Sequence, residues 1–217
     1  MSLRGFLSLR HVQPPQLACP SERVTALAGW ARRTHGLEAT RQLEVRPGSG
    51  LVARYRSDGR EGWVISDDGV GRPVGWLEEL DGVSWAAAGV TGEHAWWFAP
   101  TSRDLQPRLV ALDRRSQPVA ISEARRFGGR RVILGRDPDG GLSTMVLNRS
   151  RRTWRLTAHR TEHARIVSRG RGHLPSELRF TWHEQPPEAG LATLFVAYVI
   201  AAESLVGGRH AAGPIGN

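Results

Sequence analysis

The sequence predicts a mainly β fold, an antiparallel meander of about twelve short strands followed by one buried C-terminal helix. Three observations carry this expectation. From residue 43 to 182 the chain is written in runs of about five residues rich in Val, Ile, Leu and Trp. Those runs are separated by the turn pairs Asp58-Gly59, Asp68-Gly69, Asp81-Gly82, Gly128-Gly129 and Asp139-Gly140. Asp-Gly between apolar runs signals a hairpin, because the turns that match strand twist need positive φ and glycine adopts it without steric cost. After Pro186-Pro187 the pattern changes to AGLATLFVAYVIAAESLVGG, apolar on every side from 191 to 202 apart from Thr193 and the Tyr198 hydroxyl.

Taken in order, residues 21–35 form the one helical pattern of the N-terminal half. Ser21 stands as a possible cap, Glu22 in the first turn, Val24, Leu27, Ala28 and Ala31 on one face, then Arg32, Arg33 and a stop at Gly36. The strand candidates are 51–56, 63–66, 74–77, 83–86, 94–98, 109–113, 119–122, 131–135, 142–147, 154–158, 165–168 and 179–183. Alternate strands begin a hairpin apart, so a meander follows, and closure into a barrel or blades is the usual way to remove its edges. A helix over 189–206 is about 27 Å long. That is short for a hydrocarbon core of roughly 30 Å, and it carries Glu203. The preferred reading is a buried core helix over a tail anchor.

Composition bounds the rest. The chain has 217 residues, 40% of them hydrophobic, with 30 basic residues that are all arginine against 21 acids, a formal charge of +9. Disordered and fibrous classes are excluded, and the net charge favours anionic partners. The absence of lysine fits the codon bias of a GC-rich, bacterial-looking genome. Cys19 is the single cysteine, which excludes an internal disulfide and a cysteine zinc site and suits a reducing compartment. The apolar stretch near residues 6–9 is interrupted by Arg10, His11, Pro14 and Pro15, so it does not read as an export signal. A cytoplasmic protein, at most peripheral to a membrane, is expected.

The units WVISDDGVGRPVGWL (63–77), LVALDRRSQPVAI (109–121) and WRLTAHRTEHARIV (154–167), followed by the apolar helix over 191–205, resemble the tubby-like superfamily. Within it they look like the LURP-one-related and phospholipid scramblase-like branch. The resemblance covers residues 43–207. It implies a closed barrel of about twelve strands threaded by the C-terminal helix, with residues 1–42 as an N-terminal segment and 208–217 as a tail. The helix over 21–35 has no counterpart in it. As to function, the resemblance implies a non-enzymatic binding module that contacts anionic phospholipid or a membrane-associated partner.

The candidate anion-binding residues are Arg125, Arg126, Arg130 and Arg131, bracketing Phe127-Gly128-Gly129, and Arg149, Arg151 and Arg152 two turns later, beside Asn148. Arginine suits phosphate because its planar fork donates two hydrogen bonds to one group. Hairpin turns of equal parity lie at one end of a meander, so the two clusters are expected to share a face. The competing reading is a solvated surface in a chain that uses arginine wherever others use lysine. His159, Glu162 and His163 give H-x-x-E-H, but their flanks read as strands. There i and i+4 lie about 13 Å apart, too far for one metal ion. Trp96 and Phe98 are read as one face of a strand and Trp97 as the other. No nucleophile triad, phosphate loop or carboxylate pair stands out, so neither enzymatic activity nor a cofactor is expected. The expected partners are an anionic lipid or membrane surface, or a protein partner held through the N-terminal helix. The alternative is an arginine-rich nucleic-acid-binding protein.

Overall fold

The computed structural model describes residues 19–37, 45, 47–57, 60–81, 84–92, 94–102, 107–126, 128–136, 142–170, 174–186 and 188–211. Helix α1 (Ser21–His35) precedes twelve strands, β1 (Gly50–Arg56), β2 (Gly62–Asp67), β3 (Pro73–Glu78), β4 (Ala87–Thr91), β5 (Ala95–Pro100), β6 (Leu109–Leu112), β7 (Pro118–Ala124), β8 (Arg130–Arg136), β9 (Leu142–Ser150), β10 (Thr153–Ala158), β11 (Thr161–Arg169) and β12 (Glu177–Trp182), and helix α2 (Ala189–Ala211) follows. Each strand pairs antiparallel with its sequence neighbours. β1 closes the barrel against β12, with Gly50 opposite Thr181 and Arg54 opposite Glu177. Twelve is even, so the first and last strands run in opposite directions and closure uses the same antiparallel ladder as every other pair.

Three hairpins are the repeated units of the sequence, β2–β3, β6–β7 and β10–β11. The first two share a device. Asp67 Oδ1 accepts from the Gly69 N–H at 2.8 Å, and Asp113 Oδ1 accepts from the N–H groups of Arg115 and Gln117 at 2.8 Å. An aspartate at the strand end thus closes the turn through its own side chain. Of the turn pairs in the sequence, Asp58-Gly59, Gly82 and Asp139-Gly140 lie outside the described residues, as do most of the N-terminal segment and residues 212–217.

Every strand sends alternate side chains into one core that also contains α2. Leu51, Trp63, Leu77, Ala87, Phe98, Leu109, Ala120, Val132, Leu147, Leu156, Ile166 and Phe180 represent the twelve strands in it. Residues 191–202 of α2 are buried on all sides, so the expected buried helix is observed, inside the barrel. α2 runs closest to β3, β4 and β5. Glycine permits that approach: a Cβ at Gly89 would overlap the Phe98 ring and meet Leu194 Cδ1 at 3.3 Å, and one at Gly190 would meet Thr91 Cγ2 at 3.0 Å.

That packing also accounts for the strand expected in the wrong place. The sequence suggests 83–86, whereas β4 is Ala87–Thr91, and Ser84, Trp85 and Ala86 belong to the preceding loop. Ala-Ala-Gly-Val-Thr is poor in the β-branched and aromatic residues that mark strands. Small residues are nonetheless what the wall needs where a helix presses against it.

A second apolar cluster lies on the outside of the wall. Val24, Leu27, Ala28 and Ala31 of α1 pack on Trp76, Ala88, Val90, Trp97 and Val110, among others. Arg32 Nε donates to the Gly92 carbonyl at 2.7 Å, and Arg23 pairs with Glu78 at 3.1 Å. The helix limits match expectation and Gly36 caps the C-terminus at φ 63°, but Ser21 is not the cap: Pro20 holds that position and has no side-chain acceptor for the first-turn N–H groups. The apolar face of α1 is therefore already occupied by the barrel. A protein partner reaching this helix would meet its polar face.

α2 is secured where it leaves the barrel by Arg130, which is 3% exposed. Its Nε donates to Ser122 Oγ at 2.7 Å, Nη1 to Glu203 Oε1 at 2.7 Å, and Nη2 to the carbonyls of Ser122 and Pro107. This corrects the placing of Arg130 among the surface anion ligands. It shares strand parity with Val132 and Leu134, both buried, and its guanidinium is fully engaged inside.

Two stability predictions follow from this core. Val196→Asp should prevent folding, since an unpaired buried carboxylate costs several kcal/mol against a total of about 5–15. Circular dichroism of a soluble, native-like variant would refute it. Arg130→Leu should lower the unfolding free energy by about 2–4 kcal/mol, below the range for a fully buried pair because Glu203 keeps 33% of its side chain exposed. Arg131→Leu should stay within about 0.5 kcal/mol. Equal urea midpoints for the two variants would overturn the assignment.

Candidate anion-binding site

Parity divides the turns between the two ends of the barrel. Those after odd-numbered strands share the end at which α2 emerges, here called the exit end, as the Arg130–Glu203 bond shows directly. The β7–β8 and β9–β10 turns both lie there. Gly128 and Gly129 have φ of 85° and 70°. A Cβ at Gly129 would stand 2.5 Å from Asn148 Oδ1 and 2.7 Å from the Leu147 carbonyl oxygen, so only glycine lets this turn lie against the end of β9. The contact brings the turn carrying Arg125 and Arg126 beside the segment 148–152.

The seven candidate arginines have different situations. Arg130 is the buried clamp described above. Arg149 lies with its guanidinium 5.3 Å from the Trp154 ring centroid, and its Nε donates to the Arg151 carbonyl at 3.1 Å, covering a core tryptophan at the mouth. Arg131 sits on the outer wall opposite Glu123 in the ladder, and Glu123 is itself paired with Arg108 at 2.7 Å. Arg125, Arg126, Arg151 and Arg152 are exposed in the two adjacent turns. Arg151 holds a left-handed backbone, φ 54°.

Ion pairing is dense along β10, β11, β12 and β1, while Arg33, Arg56, Arg114, Arg115 and Arg160, like Arg125, Arg151 and Arg152 of the candidate turns, have no carboxylate partner among the described residues. Glu162 is bonded to Arg165 at 2.9 Å, His183 at 3.3 Å and Arg155 at 3.5 Å. Glu177 serves Arg54, Arg169 and Arg179, and Glu78 serves Arg23 and Arg60. Burial pushes the Glu162 carboxyl up, but the bonds and charges of Arg165, His183 and Arg155 outweigh it and hold the group below its usual range. Among the described residues, no carboxylate pairs with Arg125, Arg131, Arg149, Arg151 or Arg152. Guanidinium groups on turns brought together at Gly129 reinforce one another's potential to the extent that screening permits.

The other constellations are resolved as structure. His159 occupies the β10–β11 turn while Glu162 and His163 lie in β11. His163 pairs with Glu184 at 2.9 Å, and no cluster of three metal-ligating side chains occurs among the described residues. Trp96 and Phe98 face the inner core and Trp97 the outer cluster. Among the described residues no helix is long and apolar enough to cross a membrane.

Sequence reasoning missed a group on the opposite arc of the exit end. The Tyr55 hydroxyl donates to Glu79 Oε2, and the Glu79 N–H donates to the Glu61 carbonyl oxygen at 2.8 Å. Glu61 and Glu79 are far apart in sequence and meet only because β2 and β3 pair, so no spacing announces them. Burial, assisted by a hydrogen bond from and the charge of Glu61, raises the Glu79 carboxyl above its ordinary value, against the opposing Tyr55 bond.

Because the folded value of Glu79 is raised, the stability it contributes is complete below its unfolded value near 4.5 and is lost as pH rises through the folded one. Glu79→Gln keeps an acceptor for Tyr55 and cannot ionise. The difference in melting temperature, variant minus wild type, should therefore grow from about pH 4 to about pH 8. A difference independent of pH would refute the raised value.

No family model and no curated protein matches the chain. Among solved structures, an X-ray structure of a protein from Arabidopsis thaliana is similar over 72% of this chain and 92% of that chain, at 17% sequence identity and a TM-score of 0.36.

Proposed function

We propose that the protein is a non-enzymatic binding module that rests its exit end on an anionic phospholipid surface. One observation carries the reading: Arg125, Arg151 and Arg152, with Arg131 and Arg149 beside them, stand together on adjoining turns without carboxylate partners among the described residues, a denser grouping than the other unpaired arginines, Arg33, Arg56, Arg114, Arg115 and Arg160, make. Unneutralised guanidinium groups on two adjoining turns suit an array of phosphates, each of which accepts a bidentate bond. The resemblance of the hairpin units and final helix to tubby-like and scramblase-like proteins agrees with a lipid-facing barrel.

Nucleic acid is the alternative, since a charge of +9 supplies a non-specific electrostatic attraction to any phosphate backbone. Against it, single-strand binding uses aromatic side chains as stacking platforms. Here six of the eight tryptophans, Trp63, Trp76, Trp96, Trp97, Trp154 and Trp182, are buried in the two cores, and Trp30 and Trp85 are partly buried, packed against them.

Flotation with phosphatidylglycerol vesicles beside a salt titration on DNA separates the two. Wild-type protein should float with the vesicles, less so as salt rises. An Arg125→Glu, Arg151→Glu, Arg152→Glu variant should fold normally, since surface changes are usually within about 0.5 kcal/mol each, and lose most of that retention. Unchanged retention at low salt removes these residues from the site, and preferential binding to DNA replaces the lipid reading.

A further inference from the structure

The exit end carries an apolar rim as well as arginines. Four partly buried side chains pack against the inner core there: Tyr55 at the end of β1, Trp85 in the β3–β4 loop, Leu174 in the β11–β12 loop and Leu205 on α2. The corresponding partly buried residues at the other end are Val74, Val119 and Ala158, smaller and without an aromatic ring, and the exposed Val70 of the β2–β3 turn stands at that end alone. α2 itself continues as helix to Ala211, eight residues or about 12 Å past Glu203. The arginine turns occupy the β7–β10 arc of this mouth, and Tyr55, Trp85 and Leu174 the arc from β11 through β1 to β4.

Resting on the reading that this end meets anionic phospholipid, we infer that the rim of Tyr55, Trp85, Leu174 and Leu205 enters the interfacial layer of the bilayer, while the arginine turns hold its phosphates. Charge complementarity selects the occupant. An apolar rim alone would fit any hydrophobic partner, but here it shares a mouth with unpartnered guanidinium groups. Tryptophan and tyrosine, with an apolar body and a polar tip, settle at the level of lipid headgroups.

Trp85 is also held in a costly conformation. Its φ is 54°, a left-handed backbone that strains a residue of its bulk. The loop is fixed in this position because the Trp85 carbonyl accepts from the Tyr198 hydroxyl on α2 at 3.0 Å and the Trp85 N–H donates to the Asp81 carbonyl oxygen at 2.7 Å. The helix inside the barrel thus sets the height of the tryptophan at the mouth. Glu79, bonded to Tyr55, stands on the same arc, and burial disfavours its charged form, which lowers the penalty for bringing that arc to lipid.

The test uses full-length protein and phosphatidylglycerol vesicles whose acyl chains carry bromine near the headgroup. Wild-type tryptophan emission should fall on brominated vesicles relative to plain ones. Trp85→Phe, compared with wild type at equal bound fraction, should lose that quenching, which identifies the residue among the eight tryptophans. Trp85→Gly adopts the same φ without strain and keeps the carbonyl that Tyr198 uses, so it should fold. Its binding at high salt should be weaker by about tenfold, from the lost apolar area. Salt-sensitive binding with equal emission on both vesicle types overturns the rim and leaves the arginine reading standing. No binding to phosphatidylglycerol at any salt overturns both.

Discussion

A closed barrel of twelve strands has an interior too wide to be filled by the side chains of its own wall. About eight strands is the size at which inward residues meet in the middle. Larger barrels contain water, a ligand or a plug, and here the plug is α2. The dependence runs both ways, because residues 191–202 are apolar all round and such a surface is unstable in water. Wall and helix are each other's solvent. This mutual requirement explains the small residues at Gly89 and Gly190, the alternate inward positions of all twelve strands, and the arginine that fastens the helix where it emerges.

The same constraint sets the polarity of the molecule. α2 follows β12, so it must begin at the end where β12 finishes and leave at the other. The exit end therefore receives both the helix C-terminus and the turns after odd-numbered strands, and any feature carried by those turns is collected there. Arg125, Arg126, Arg151 and Arg152 come together by this counting, although they are far from adjacent in sequence. Gly129 then closes the remaining distance by letting one turn lie on the neighbouring strand. Glu61, Glu79 and Tyr55 gather at the same end for the same topological reason, on the opposite arc.

Much of the fold was legible because its signals are local. Asx-type turns at Asp67 and Asp113 announce hairpins within four or five residues, and the heptad-like face of α1 is visible within its own fifteen residues. β4 was not legible, because its Ala and Gly residues answer to a helix a hundred positions later. Arg130 was half legible: its parity with Val132 and Leu134 marks it as inward, but its acceptors on Ser122, Pro107 and Glu203 come from three separate elements. The docking of α1 on the outer wall could not be read either. The outward residues of β4 to β6, Ala88, Val90, Trp97 and Val110, give these strands apolar residues on both faces, which in sequence resembles any fully buried strand.

A chain whose cations are all arginine gives residue type no power to discriminate. In a protein that mixes lysine with arginine, a run of arginines is itself a signal, since the planar fork is chosen where bidentate bonding matters. Here Arg130, which satisfies buried oxygens of Ser122, Pro107 and Glu203 at once, and Arg125, which touches no carboxylate among the described residues, are written with the same letter. The difference between a structural clamp and a candidate ligand lies wholly in what surrounds each guanidinium. Where glutamates alternate with arginines across β10, β11, β12 and β1, the charges neutralise one another and the wall presents little field. Between β7 and β10 at the exit end, Glu123 and Glu203 answer only Arg108 and Arg130, and the charges of Arg125, Arg151 and Arg152 are left without a neighbouring carboxylate among the described residues. What marks the two turns is therefore the adjacency of guanidinium groups without carboxylate partners among the described residues, and not the net charge, which the codon composition of the chain would supply in any case.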